Sequence, residues 1–308
     1  MSTRAEGAGT EGGSPPKKST VLVLLEKYRR GEPITMLTAY DYPTAHALDT
    51  AGIDAILVGD SLAMVVLGYP NTLTVSMEEM LHHARAVSRG AQRALLIGDM
   101  PFMSYQADRA EAIRNAGRFL KEGGMNAVKI EGGRAVAETA RSIVDAGIPV
   151  LGHVGLLPQS TNALGGFRVQ GRTAEGARAV LEDAVALEEA GCFAVVIEGV
   201  PERLGTFITE RLSIPTIGIG AGRGVSGQVL VTHDLLGLYD QFTPKFAKRY
   251  AEAGETMRVA FAAYRADVES RAFPSREHIY AMPEAEWEAF AENMKGRPCK
   301  SAFERKRR

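Results

Sequence analysis

The chain has 308 residues, 45% of them apolar, with 36 Lys and Arg against 37 Asp and Glu and a formal net charge of −1. That length and apolar share allow a sizeable buried core, and the balanced charge leaves no electrostatic footprint for nucleic acid or a membrane surface. No apolar run approaches the ~20 residues of a bilayer span, and Cys192 and Cys299 match no metal spacing, a usage that suits a reducing compartment.

In chain order, residues 1–20 are rich in Gly, Ser, Thr and Pro. They lack the apolar centre of a secretory signal, and Glu6 and Glu11 are out of place in a transit peptide. The segment is read as disordered, and the chain as a soluble cytoplasmic protein, with the mitochondrion an alternative only for a eukaryotic source. From there a unit recurs: a helical stretch ends in Ala-Gly or Gly-Gly, a short apolar run follows, and an ionisable residue closes it. Instances end at Asp60, Glu131, His153 and Glu198. Glycine just past a helix takes the left-handed cap conformation cheaply, and continuous apolar runs suit parallel strands buried on both faces. Strands are expected over residues 34–41, 55–60, 94–101, 127–131, 149–153, 194–198 and 215–220, with 228–231 completing a set of eight. Between the second and third, Ser76-Met77-Glu78-Glu79 has the form of a capping box opening an amphipathic helix. Such alternation predicts an α/β fold, and eight strands without a composition break favour a closed (β/α)₈ barrel over residues 21–265. Residues 266–308 read as a helical extension with a charged tail at Lys300, Arg305, Lys306, Arg307 and Arg308.

In such a barrel the C-terminal strand ends form the active-site face. Asp41, Asp60, Asp99, Glu131, His153 and Glu198 close six of the runs. One such residue would mean little, because a strand-end Asp often caps the next helix. Six together point to a site, because buried carboxylates are costly unless paired or bound to metal. Asp60 and Asp99 each follow a glycine, which suggests close backbone approach to a ligand, and hard oxygen donors suit Mg²⁺ better than Zn²⁺. A 2-oxo acid chelating that ion would lose the neighbouring proton to a separate carboxylate, for which Glu198 is the candidate. Lys129 and Glu131 share one side of their strand, so Lys129 is placed to neutralise a substrate carboxylate while Glu131 faces the metal; a structural salt bridge between them is the plain alternative. His153 is a pocket residue of open role. Residues 222–227 match G-x-G-x-x-G, but a strand rather than a helix follows, which favours a substrate-lining loop over a nucleotide fingerprint. His82 and His83 read as surface or interface residues.

With these residues placed, the chain resembles the ketopantoate-forming 3-methyl-2-oxobutanoate hydroxymethyltransferase family over about residues 35–248. The carrying segments are Thr38-Ala39-Tyr40-Asp41, Val58-Gly59-Asp60-Ser61, Asp99-Met100-Pro101-Phe102 and Val128-Lys129-Ile130-Glu131-Gly132-Gly133. Gly152-His153-Val154-Gly155-Leu156-Leu157-Pro158-Gln159, Gly165-Gly166-Phe167-Arg168-Val169-Gln170-Gly171, Gly218-Ile219-Gly220-Ala221-Gly222 and Pro244-Lys245-Phe246 complete them. The resemblance implies a barrel of the phosphoenolpyruvate mutase-like type in a homo-oligomer, often a decamer. It implies one-carbon transfer from 5,10-methylenetetrahydrofolate to 3-methyl-2-oxobutanoate, giving 2-dehydropantoate for pantothenate synthesis. It also implies one Mg²⁺ per subunit held by Asp60 and Asp99 with support from Glu131; Ser61, Asp60, Asp99, Lys129 and His153 at the oxo acid; and Glu198 as proton acceptor. Gly98 stands where a residue such as Ala is common, a departure expected to be harmless. The alternative enzyme is a C–C lyase or mutase of the phosphoenolpyruvate mutase and isocitrate lyase type. Such lyases commonly use a mobile-loop cysteine, and neither Cys192 nor Cys299 follows a strand end. A non-catalytic oxo-acid-binding barrel would not require the full carboxylate set.

Overall fold

A computed structural model describes residues 18–164, 166 and 168–295. The expectations for residues 1–17, the charged tail and Cys299 lie outside these residues. Eight parallel strands close in sequence order: Ile34–Thr38 (β1), Ala55–Val58 (β2), Leu95–Asp99 (β3), Ala127–Lys129 (β4), Val150–Gly155 (β5), Ala194–Glu198 (β6), Thr216–Ile219 (β7) and Gly227–Leu230 (β8). β8 pairs with β1 in register Met36 to Val229, which closes the barrel. Thr232 locks the same seam, its N–H donating to Thr38 Oγ1 at 3.0 Å.

Strand alternation divides the core in two. Ile34, Met36, Ala55, Leu57, Leu95, Ile97, Ala127, Leu151, Ala194, Val196, Ile217 and Val229 fill the interior. Their neighbours, such as Ile56, Val58, Leu96, Val128, Val150 and Val195, pack outward against the helices. Leu24 of helix Val21–Arg29 joins the interior cluster. The same helix is tied to the strand-entry side by Lys27 Nζ on Asp54 at 2.7 Å, so the opposite, C-terminal mouth is left for a site. Residues 18–20, expected to be disordered, belong to this arrangement: Ser19 N–H donates to Arg93 O, and Thr20 caps the helix.

The outward layer explains Gly98. A Cβ there would stand 2.3 Å from the Phe119 ring of helix Arg109–Lys121, a fully buried side chain. Glycine at 98 therefore makes room for packing behind the strand, not for ligand approach as its position beside Asp99 suggested. The capping box forms as expected, Glu79 N–H on Ser76 Oγ with the Glu79 carboxylate returning to Ser76 N–H. His82 is exposed, and His83 contacts Tyr40 O through Nδ1 at 2.6 Å.

The chain divides into one compact unit ending at Gly254 and a second beginning at Glu255. In the second unit, helices Ala253–Glu269 and Glu284–Met294 contain no buried residue and expose Val259, Phe261, Tyr264, Trp287 and Phe290. Among the described residues no helix is long and apolar enough to cross a membrane.

Candidate active site

The alternation that fills the barrel also builds the site. Interior positions Leu95 and Ile97 are followed on the same face by Asp99; Ala127 by Lys129 and Glu131; Leu151 by His153; Ala194 and Val196 by Glu198. Each apolar run thus ends by turning an ionisable group into the mouth. Asp60 follows β2, and its own N–H donates to Asp99 Oδ2 at 3.1 Å, which places the two aspartates side by side. Asp60, Ser61, Asp99, Lys129, His153 and Glu198 all line one cavity of about 800 Å³. Glu131, 4% exposed, lies just behind it.

Asp41 departs from the pattern. It is exposed and is the N-cap of helix Tyr42–Thr50, accepting from Thr44 N–H at 2.8 Å. Its place at a strand end reflects helix capping and not chemistry.

Charge in the cluster is dense. Lys129 Nζ donates to both oxygens of Asp99, at 2.7 and 2.8 Å, and stands 3.9 Å from Glu131 Oε2. His153 bridges two acids, Nδ1 3.1 Å from Glu131 Oε2 and Nε2 3.2 Å from Glu198 Oε2, although neither contact is aligned as a hydrogen bond. Burial works against the Lys129 and His153 charges. The acids around them more than offset it, raising Lys129 above its ordinary value and His153 to about 9. Burial also raises Glu131, but His153 and Lys129 override it and hold its carboxyl below the ordinary value. Asp60 lies well above its usual value, first through burial and then through Asp99; burial raises Asp99 too, against Lys129.

Four carboxyl groups, Asp60, Asp99, Glu131 and Glu198, surround the two basic groups Lys129 and His153, so acids outnumber bases by two. A hard divalent cation fits this donor set. Asp60 and Asp99 are buried carboxyl groups at neighbouring strand ends, the Asp60 backbone N–H bonded to Asp99 Oδ2, and Mg²⁺ ordinarily takes only one or two protein carboxylates. The two oxygens of Asp99 carry about four lone-pair sites, room for Lys129, the Asp60 N–H and an ion. Among the described residues no group of three or more His, Cys, Asp or Glu side chains is gathered on one point.

Gln159, at 4% exposure, carries no sequence signal of its own beyond its motif, yet it ties the rim together. Its Nε2 donates to Asp60 Oδ2 and Met100 O, both at 3.0 Å, and its backbone N–H donates to Glu131 Oε1 at 2.6 Å. Its Oε1 accepts from Tyr105 O–H at 2.8 Å, and that hydroxyl also lies 3.0 Å from Glu131 O. Three strand ends are tied to one residue, two of them through its side-chain amide and the third through its backbone N–H. Replacing an outer partner of a metal ligand typically costs about 10–100-fold in affinity. Gln159→Met is expected to weaken Mg²⁺ binding by about that factor in calorimetry, and an unchanged affinity would remove Gln159 from this role. Cys192 is an inert buried thiol, pushed up to about 12 by burial. The loop at residues 222–227 runs into β8, with Gly220 and Gly222 lining the cavity, and so has no dinucleotide geometry.

The profile of ketopantoate hydroxymethyltransferase matches residues 18–276. The chain belongs to the ketopantoate hydroxymethyltransferase family. A 3-methyl-2-oxobutanoate hydroxymethyltransferase of Syntrophobacter fumaroxidans is 58% identical over 253 residues, 82% of this chain and 90% of the relative. One of Syntrophus aciditrophicus is 52% identical over 280 residues, 91% of this chain and all of the relative. The chain is an enzyme of this family, a transferase that adds a hydroxymethyl group to 3-methyl-2-oxobutanoate. Among solved structures, a phosphonopyruvate hydrolase complex with oxalate and Mg²⁺ superposes with a TM-score of 0.58 at 15% identity, covering 90% of this chain and 99% of the other. A 2,3-dimethylmalate lyase of the phosphoenolpyruvate mutase and isocitrate lyase superfamily gives 0.53 at 16%, covering 91% and 98%. At that identity the likeness establishes the barrel type. The far closer transferase relatives decide the chemistry against the lyase alternative.

Proposed function

We propose that this enzyme takes its one-carbon unit from 5,10-methylenetetrahydrofolate and makes 2-dehydropantoate through an enolate of the oxo acid, with a Mg²⁺-type cation held by Asp60 and Asp99. The observation that carries this reading is the adjacency of those two buried aspartates at the cavity wall, with Glu198 on the same cavity. When bound, the cation stabilises negative charge on the keto oxygen. A phosphonopyruvate hydrolase on the same barrel binds Mg²⁺ with oxalate, a ligand of paired oxygens, which supports this site for a 2-oxo acid.

The side chains divide the remaining work. Lys129 has a third N–H beyond the two given to Asp99, and it neutralises the substrate carboxylate. Ser61, whose Oγ is 2.9 Å from the Tyr40 hydroxyl, is positioned at the same end to hold a substrate oxygen. Glu198 accepts the C3 proton, and the resulting carbon nucleophile bonds to the donated methylene carbon; the bonds from that carbon to the folate nitrogens break, water supplies the hydroxyl, and tetrahydrofolate leaves with its nitrogens protonated. His153 holds Glu198 in place from its Nε2 side and favours the charged form of Glu131.

The direct test is to combine the protein with 3-methyl-2-oxobutanoate, methylenetetrahydrofolate and Mg²⁺. 2-Dehydropantoate should appear, and a chelator should abolish it. Product formation without folate, or undiminished by chelation, would contradict the reading. A homo-oligomer, expected as a decamer, is part of the same proposal. The exposed large apolar side chains of the second unit, Val259, Phe261, Tyr264, Trp287 and Phe290, support it; a solution mass of one chain would overturn it.

A further inference from the structure

The cavity, at about 800 Å³, is far larger than a five-carbon oxo acid requires and approaches the upper range for drug-sized ligands. Its ionisable cluster occupies the arc from β2 to β6. The remaining arc, around β7, β8 and the segment after it, is walled by Ile219, Val229, Val231, Tyr239, Phe242 and Phe246. Lys245 and, against Gly222, Glu202 also line that side, and the buried carboxylate among the apolar residues is Asp234, on helix Thr232–Leu235.

Asp234 is 9% exposed, and among the described residues its carboxylate accepts no hydrogen bond. Arg249, the cation whose field reaches it, donates instead to Thr243 Oγ1 at 2.8 Å and Glu252 Oε2 at 3.2 Å. Closure of the barrel beside it is carried by Thr232. A buried carboxylate that accepts no hydrogen bond among the described residues is costly. Burial pushes its pKa up to about 6, so at neutral pH it is mostly ionised and presents two acceptors and no donor.

We infer that Asp234 is the anchor for the pterin ring of the folate donor, accepting paired hydrogen bonds from the pterin 2-amino group and N3–H. This rests on the reading that a tetrahydrofolate delivers the one-carbon unit. The pterin edge offers two adjacent donors matching the two oxygens of a carboxylate, and its flat faces suit an apolar and aromatic wall. Oxo acid and pterin then occupy opposite arcs of one cavity, which brings the methylene carbon between them.

The test measures tetrahydrofolate affinity in the full-length protein with oxo acid and Mg²⁺ present, by calorimetry, for the wild type and Asp234→Asn. The amide turns one acceptor into a donor facing a donor, and folate binding should weaken by about 10–100-fold, the worth of a charge-assisted pair. Affinity for 3-methyl-2-oxobutanoate is measured in the same variant, and the loss should be confined to folate. A 2-desamino-2-methyl pterin analogue should bind the wild type more weakly by a similar factor and discriminate little between wild type and variant. Unchanged folate affinity, an equal loss for the oxo acid, or an undiminished analogue penalty in the variant would each overturn the inference. A wild type that binds no tetrahydrofolate would overturn the donor reading as well.

Discussion

Asp60→Asn is expected to abolish Mg²⁺ binding and with it nearly all transferase activity. The substitution keeps the shape of the side chain and an acceptor for Gln159 Nε2, but removes one of the two negative ligands. Cation stabilisation of the developing charge is worth several kcal/mol, so kcat/KM should fall by about a thousandfold or more. Stability should move the other way in metal-free protein. Asp60 is held well above its usual pKa by burial and by Asp99, so its ionised form is strained at neutral pH. An acid whose folded pKa is raised loses stability as pH climbs through that value, and an uncharged isostere escapes that loss. The melting temperature without metal should therefore hold or rise, while the increase on adding Mg²⁺ should vanish. Thermal scans with and without Mg²⁺ read both. A variant that still gains stability from Mg²⁺ as wild type does would remove Asp60 as a ligand.

The second large effect concerns proton transfer. Glu198 ends β6 on the interior face, and among the described residues His153 is the polar group paired with its carboxylate. Gln in its place can still meet His153 but cannot accept a proton, so folding and oxo-acid affinity should persist. General-base contributions run to about 10²–10⁴-fold, and kcat should fall by that range with KM little changed. Exchange of the C3 proton of 3-methyl-2-oxobutanoate with D₂O, followed by NMR without folate, isolates the step. Exchange in Glu198→Gln as fast as in the wild type would assign the base elsewhere.

Much of this was legible in the sequence for a physical reason. Strands buried on both faces are apolar throughout, so even β8, with only Gln228 exposed, could be placed. The strand ends were read too long, at residues 34–41 and 94–101, because the chain stays buried as it turns over the rim after pairing stops. Asp60, Asp99, Lys129, Glu131, His153 and Glu198 were visible because an interior-facing charge after an apolar run has few structural uses. The same rule included Asp41, since sequence does not reveal whether a strand-end Asp faces the mouth or caps the next helix. Gln159 and Tyr105 escaped because their role is a hydrogen-bond network across loops, with no period or spacing to mark it. Asp234 was missed although a signal existed: it follows the eighth run as the other acids follow theirs, three residues after Val231. The exposed faces of the second unit had no sequence signature apart from an ordinary amphipathic helix.

The shared grip of Asp60 and Asp99 on one ion is tested most directly by crystals grown with Mn²⁺ and the oxo acid, read by anomalous scattering. The account predicts a single peak on the cavity wall with one oxygen of each aspartate near the ~2.1 Å distance of a small hard cation, and Glu131 behind it. A peak bound by only one of the pair, or seated between Glu131 and Glu198, would contradict it.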